Sequence, residues 1–393
     1  MISKPFENLS LPLLGFGAMR LPVHGGAASK IDEDTVARMV DEAYAGGVRY
    51  FDTAYPYHDG ESERVMGRLL KRYPRDSWYL ADKYPGHQVL SDYVPGRIFE
   101  EQLKKCGVEY FDFYLLHNVC ESSLGVYTDK ALGIVDYFLE QKRLGRIKHL
   151  GFSAHGSAAL MERFLDAYPG NMAFCQIQLN YLDWTFQNAK EKYELLMKRG
   201  IPVWVMEPIR GGKLAALDTQ DAEKLRQARP NESPAVWALR WLLRLPGVVM
   251  ILSGMSSLAH VQDNLTAFNG GTPLSEAEAE LLEGIAERLS HQIPCTACGY
   301  CLNDCPSGLA IPELINLYNQ MCYAQTVITG MRIDAMTDQE RPSACIACGA
   351  CTRACPQGID IPSVMQDIMT QYNKTPRWAD ICKARESLAR RGS

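Results

Sequence analysis

The chain has 393 residues, which at roughly 150 residues per domain predicts two or three domains. Apolar residues make up 47% and charged residues 22%, which excludes a disordered chain. A net charge of −5, with no apolar run near the roughly 18 residues of a membrane span, excludes nucleic acid or a membrane as the main partner. Met1 to Leu14 carries no apolar signal core, so a cytoplasmic protein is expected.

From residue 13 to about 268, short apolar strands alternate with amphipathic helices. Strands are predicted at Leu14–Gly17, Tyr50–Asp52, Trp78–Lys83, Phe111–His117, Lys148–Ser153, Phe174–Gln176, Val203–Met206 and Val248–Leu252. Helices are predicted from Asp32 to the Gly46-Gly47 stop, then at Glu61–Lys71, Ser91–Lys105, Asp129–Leu144 and Ser157–Ala167. Three more follow at Phe186–Arg199, Pro234–Leu245 and Ser257–Phe268. Eight strands, each followed by a helix, point to an α/β fold, the (β/α)8 TIM barrel. An open doubly wound sheet would want a Gly-rich turn after the first strand, and Leu14 to Pro22 lacks that spacing.

Gly270-Gly271-Thr272-Pro273 reads as a turn, and Leu274 to Ser290 as one more helix with Ser275 at its N-cap. The texture then changes. Ten of the thirteen cysteines lie beyond residue 290, and in a chain without a signal such clustering suggests metal before disulfides. Cys295–Ile315 repeats as Cys345–Met365, fifty residues on. Each half reads C-x2-C-x2-C-x3-C-P and ends in Ile-Pro opening a helix. In two-cluster ferredoxins the fourth cysteine of such a run ligates the other cluster. That predicts two 4Fe-4S clusters. Cluster one would be held by Cys295, Cys298, Cys301 and Cys355, and cluster two by Cys345, Cys348, Cys351 and Cys305. The helical gap between motifs points to a small, mainly α-helical ferredoxin-type domain. Two zinc sites are the alternative, but zinc modules space their cysteine pairs farther apart. Cys106, Cys120, Cys175, Cys322 and Cys382 read as apolar filler. The expected organisation is a barrel over 1–273, a connecting helix over 274–293, an iron–sulfur domain over 294–372 and a basic tail over 373–393.

In a TIM barrel, chemistry sits at the C-terminal ends of the strands. Three neighbouring strands end there in Asp52 with Tyr57 close behind, in Lys83, and in His117. A Lys near a phenol is expected to lower the phenol's pKa, the Asp to hold the Lys, and the Tyr to donate a proton to a carbonyl oxygen. The His would orient that carbonyl. Each residue alone reads as a cap, a packing residue or surface; together they read as a site. The Arg210-Gly211-Gly212-Lys213 stretch reads either as a Gly-rich loop or as a phosphate cradle.

Phe51-Asp52-Thr53-Ala54, then Tyr57 and Gly60-Glu61-Ser62-Glu63, resemble the first signature of the aldo-keto reductases. The resemblance covers roughly residues 8–268. It implies NAD(P)H bound extended across the barrel mouth and direct hydride transfer to an aldehyde or ketone. It also implies Asp52, Tyr57, Lys83 and His117 as the catalytic tetrad. Cofactor contacts are implied at Gly17, Ala18, Met19, Ser153, Gln176 and Met206, and at Pro208, Arg210, Gly211 and Lys213. Further contacts fall at Ser253, Gly254, Asp263 and Asn264. Three departures stand out. Ala154-His155 follows Ser153 where the family has Asn, Met206 replaces a stacking Tyr, and Gly254 and His260 replace the two cations that hold an NADP phosphate. NADP and NAD therefore both remain open. The clusters are expected to exchange electrons with a partner protein; the alternatives are structural or oxygen-sensing clusters, or a slow NAD(P)H-binding sensor.

Overall fold

The computed structural model describes residues 1–86, 94–120, 123–270, 272–290, 293–323 and 327–375. The expected helix start at Ser91, His87, Gly271, His291 and the tail beyond 375, with Trp378 and Cys382, lie outside the described residues. The chain divides into two compact units, Met1–Ala286 and Glu287–Ser393.

The first unit is a closed, all-parallel barrel. Its strands are β3 (Leu14–Gly17), β4 (Tyr50–Asp52), β5 (Tyr79–Tyr84), β6 (Phe111–Val119), β7 (Ile147–Ala154), β8 (Cys175–Gln178), β9 (Val203–Met206) and β10 (Val248–Ser253). They close in the order β10-β3-β4-β5-β6-β7-β8-β9. β3 through β6 are buried along their lengths apart from Tyr79, because helices cover one face and the barrel core the other. Ahead of them, β1 (Ser3–Phe6) and β2 (Leu9–Pro12) form an antiparallel hairpin that the pattern of the sequence did not predict. The hairpin carries Phe6 and Leu11 into a core cluster with Tyr50, Phe113, Phe174 and Trp204. The Phe6 and Trp204 rings lie 4.9 Å apart, nearly edge to face.

The first-unit helices are α1 (Glu33–Ala45), α2 (Glu61–Leu70), α3 (Pro95–Cys106), α4 (Leu124–Thr128), α5 (Ile134–Arg143), α6 (Ala158–Ala167), α7 (Asp183–Phe186), α8 (Ala189–Lys198), α9 (Thr219–Ala228), α10 (Pro234–Leu242) and α11 (Leu258–Phe268). Side-chain caps set several starts: Asp32 accepts from Thr35 N at 3.1 Å, and Ser157 and Ser257 cap α6 and α11. Helix α12 (Glu276–Leu289) opens on a capping box. Ser275 N–H donates to Glu278 at 2.7 Å, and Glu278 N–H donates to Ser275 Oγ at 3.3 Å. Arg229 grips Glu278 at 2.6 Å, which fastens the start of α12 to the barrel unit.

In the second unit, α13 (Ile311–Tyr323) and α16 (Ile361–Lys374) pack together, with α14 (Val327–Asp334) against α13 and the short α15 (Ala350–Ala354) against α16. Leu309, Ile311, Leu314 and Ile315 from one repeat meet Ile359, Ile361, Val364 and Met365 from the other in one small core. The repeat thus folds as two matched halves. Among the described residues, no helix is long and apolar enough to cross a membrane.

Candidate active site and cysteine cages

Parallel register brings Gly17, Asp52 and Ala81 side by side, and Lys83 beside Leu115, at one end of the barrel. Tyr57 arrives on the short turn Tyr57–Gly60 that follows β4. Asp52, Tyr57, Lys83 and His117 are all buried. Lys83 Nζ donates to Asp52 Oδ1 at 2.5 Å, to Thr53 O at 2.7 Å and to the Tyr57 hydroxyl at 3.4 Å. All three ammonium hydrogens thus have acceptors, and the third one aims the phenol. The Tyr57 ring meets His117 edge to face at 6.1 Å. One phenol is therefore held between an ammonium and an imidazole at the rim.

The expected lowering of the Tyr57 pKa does not occur in this geometry. Burial holds the phenol well above its usual value, and the Asp52, Glu207 and Asp82 charges push the same way against Arg20. The physical reason is burial first; the Lys83 charge does not offset it, because Asp52, 2.5 Å away, lies closer to Lys83 than Tyr57 does. Burial likewise pushes the Asp52 carboxyl up, against Lys83. Tyr57 thus keeps its proton in the resting site.

Ser153 on β7 and Gln176 on β8 are direct register partners, both buried. Ser153 Oγ and Gln176 Oε1 have no hydrogen-bond partner among the described residues. Two adjacent orphaned polar atoms fit a carboxamide that brings its own donors and acceptors. Met206 is half-buried at the end of β9, and Gly17, Ala18, Pro208 and Ser253 are buried around the same rim.

In the second unit, Cys295, Cys298, Cys301 and Cys355 line one cavity. Cys305, Cys345, Cys348 and Cys351 line another. The cysteine loops turn through left-handed residues at matching places, Ala297 and Gly299 in one and Ala347 and Gly349 in the other. Burial, with the thiols of Cys298, Cys295 and Cys355, pushes the Cys301 thiol up to about 12. Four such thiols share a cage stably as thiolates only around a cationic group. Among the described residues, no three Cys, His, Asp or Glu side chains close on a single ion, as the four thiolates of one zinc site would at about 2.3 Å from the metal. All-cysteine cages fit an iron–sulfur cubane.

The Aldo/keto reductase family model matches residues 13–287, and a 4Fe-4S dicluster domain model matches residues 294–359. The chain belongs to the aldo/keto reductase family. It is an NAD(P)H oxidoreductase with an iron–sulfur domain at its C-terminal end. It is 27% identical to the NADH-specific methylglyoxal reductase of Escherichia coli, over 72% of this chain and 97% of that protein. It is 24% identical to the L-galactose dehydrogenase of Arabidopsis thaliana, over 66% and 85%. An aldo-keto reductase from Bacillus halodurans in its holo form superposes with a TM-score of 0.59 at 25% identity, over 72% of this chain and 96% of that one. An aldo-keto reductase from Klebsiella pneumoniae in complex with NADPH shares the fold, with a TM-score of 0.59 at 22% identity, over 73% and 96%.

Other sequence-predicted contacts in the reductase take different places. Arg210 pairs with a carboxylate of its own chain. It is fully buried, 3.0 Å from Asp183 Oδ1, and its guanidinium lies over Phe186. The Gly-rich sequence suggested an anion cradle, but Asp183, 27 residues earlier, is the anion. Asp183 also accepts from Gln178 at 2.8 Å and Asn180 at 2.7 Å. Gly211 lies in the same short turn, and Lys213 is half-buried just after it. Asn264 donates to Ser253 Oγ at 2.6 Å, and Asp263 accepts from Ser233, the cap of α10, at 2.6 Å. Gly254 lies against the stem of Arg20, and His260 is exposed.

Two site features escaped the sequence. Arg20 and Glu207 form an ion pair of 3.2 Å at the mouth, 187 residues apart. The second is a buried polar layer behind Lys83: Asp82, Glu63, Gln102 and Lys105. Glu63 stood inside the recognised signature, but only the fold shows what it faces.

Proposed function

We propose that this aldo-keto reductase interconverts an aldehyde or ketone and its alcohol, with Tyr57 as the proton donor. The observation that carries the reading is the set of three bonds from Lys83 that points the Tyr57 hydroxyl to the rim beside His117. Bound nicotinamide supplies the hydride. Ser153 and Gln176 hold its carboxamide through their orphaned atoms. His117 positions the carbonyl oxygen, and Tyr57 gives that oxygen its proton as negative charge develops there. A phenol held above its usual pKa keeps the proton until that charge appears, and Lys83 then stabilises the phenolate. The proton returns to Tyr57 from water.

NADH is the preferred cofactor in this reading. Gly254 and His260 offer no fixed cation for a 2′-phosphate, and Arg20, whose stem touches Gly254, is paired with Glu207. In the second unit, the two crossed cysteine sets would hold two 4Fe-4S clusters, whose chemistry would be one-electron transfer to or from a partner protein. The support is the two cages themselves, matched in loop geometry.

One anaerobic experiment tests both halves. Holoenzyme with iron and sulfide intact is mixed with NADH, and then methylglyoxal, while absorbance and EPR are followed. Tyr57→Phe should lose turnover by about 10²- to 10⁴-fold with NADH affinity unchanged. Near-native turnover in that variant would sink the assignment of the proton donor. Clusters that reduce with dithionite, but neither with NADH nor with any one-electron carrier protein tested, would sink the electron-transfer role and leave them structural.

A further inference from the structure

Residues alternate faces along β5. Lys83 points to the mouth, and Asp82 points the other way, against α2 and α3. Those two helices lie unusually close: a Cβ on Gly67 of α2 would stand 2.3 Å from the Cys106 carbonyl of α3. This packing seals Asp82 and Glu63 at zero exposure. Asp82 Oδ1 accepts the Lys83 N–H at 2.8 Å, and Cys106 Sγ stands 3.7 Å from Oδ2. Glu63 Oε2 accepts from Lys105 at 3.0 Å, but Glu63 Oε1 is buried with no N–H or O–H donor among the described residues. The two carboxyls lie close enough to act on each other directly. Two ionised carboxylates so placed repel each other, whereas one proton between them removes the repulsion and gives Glu63 Oε1 a partner.

The charges agree. The buried layer holds three carboxyls, Asp52, Asp82 and Glu63, and two ammonium groups, Lys83 and Lys105. Glu101 also pairs with Lys105, at 2.8 Å, but its carboxylate is near the surface. The remaining neighbours are neutral: Tyr55 under Lys105, Gln102, and Tyr114, whose hydroxyl donates to Gln102. Burial and the Glu63 charge push the Asp82 carboxyl well above its usual range, and burial pushes Glu63 up against Lys105.

We propose that Asp82 and Glu63 hold one proton between them at neutral pH, as a buried acid pair that fixes Lys83 from behind. Resting on the reading of Lys83 and Tyr57 as the catalytic centre, it makes Asp82 a positioning residue. Asp82 holds the Lys83 N–H while Gln102 holds the Lys83 carbonyl at 3.0 Å, so the strand end cannot shift. The pair carries one negative charge, which Lys105 matches. No second anion then competes with Asp52 for the Lys83 ammonium.

Infrared spectroscopy of the full-length holoenzyme at neutral pH tests this. The native protein should show the absorption of a protonated carboxyl, and Asp82→Asn and Glu63→Gln should each remove it, since each leaves one carboxylate with no second carboxylate to repel it. In NADH-dependent reduction of methylglyoxal, Asp82→Asn should lose less than about tenfold in kcat, against the 10²- to 10⁴-fold of a lost proton-transfer group. A native spectrum without the band overturns the proposal. So does a band that survives in both variants, which would place the proton on another buried carboxyl such as Asp52 or Asp112. If Asp82→Asn fails to fold, Glu63→Gln carries the same spectral test. The band does not depend on Tyr57, so turnover surviving in Tyr57→Phe would sink the proton-donor reading and leave this one standing.

Discussion

Arg210→Met separates two uses of one guanidinium. In the structure, Arg210 and Asp183 pair at 3.0 Å with both side chains fully buried. Methionine keeps much of the stem volume, so the change isolates the charge. Asp183 would then keep only the neutral amide donors of Gln178 and Asn180. Removing one partner of a buried ion pair costs about 3–5 kcal/mol, because the other charge is left stranded. For a domain of this order of size, that lowers the thermal midpoint by roughly 6–20 °C. Removing the second charge as well, in Arg210→Met with Asp183→Asn, should restore part of the loss, since no stranded anion remains.

Circular dichroism melts of the three variants, with NADH affinity measured well below each midpoint, give both readouts. A structural Arg210 predicts a large fall in midpoint, partial recovery in the double variant, and NADH affinity within about threefold of native. A phosphate-binding Arg210 predicts the reverse: an unchanged midpoint and NADH binding weakened by the roughly 1.5–3 kcal/mol of a charged hydrogen bond, about tenfold or more. That second pattern would refute the reasoning from burial.

The crossed cages make a paired prediction: Cys298→Ser and Cys355→Ser should each lose about half the iron and the same EPR signal, while Cys345→Ser loses the other. Different signals lost by Cys298→Ser and Cys355→Ser would break the pairing. The Arg229 hydrogen bond holds the Glu278 carboxyl down to about 2 in the folded chain, against an ordinary value near 4.5. Its contribution to stability is therefore full above about 4.5 and is lost as pH falls toward 2, so Glu278→Gln should flatten the fall in thermal midpoint across that window. A wild-type slope in the variant would show that the pair adds nothing.

The barrel was legible because every one of its strands is a short apolar run between helix caps, and a buried parallel strand must read that way. The hairpin of Ser3–Phe6 and Leu9–Pro12 was not legible. Among its eight residues only Phe6 and Leu11 are buried, too few to set a period. Helix α9 escaped for a similar reason: Leu225 is its one buried large apolar side chain, although Asp218 caps it as a sequence signal should. The two four-cysteine sets that the structure gathers were legible because motif spacing is local, whereas charge partners are not. Asp183 lies 27 residues from Arg210 and Asp82 lies 19 from Glu63, and only the fold brings them together. Reading Arg210 as a cofactor contact drew on its neighbours in sequence, Gly211 and Gly212; its neighbour in space, Asp183, was not legible.

The same logic of partners shows where a ligand belongs. Asp52 neutralises Lys83, Asp183 neutralises Arg210 and Glu63 neutralises Lys105, so these buried cations are matched from within the chain. The adjacent pair Ser153 Oγ and Gln176 Oε1 is not. An unmade hydrogen bond on a buried polar atom costs about 1–3 kcal/mol, and the bound ligand that makes it recovers that energy. The cysteine cages repeat the argument with charge in place of hydrogen bonds, since four converging thiolates are stable only once a cationic group fills the space. The difference between the two sites is in step size. Nicotinamide passes two electrons as one hydride, while each cluster takes one. Under the proposed reading, any electron exchange between the two sites needs a carrier able to accept a pair and release single electrons.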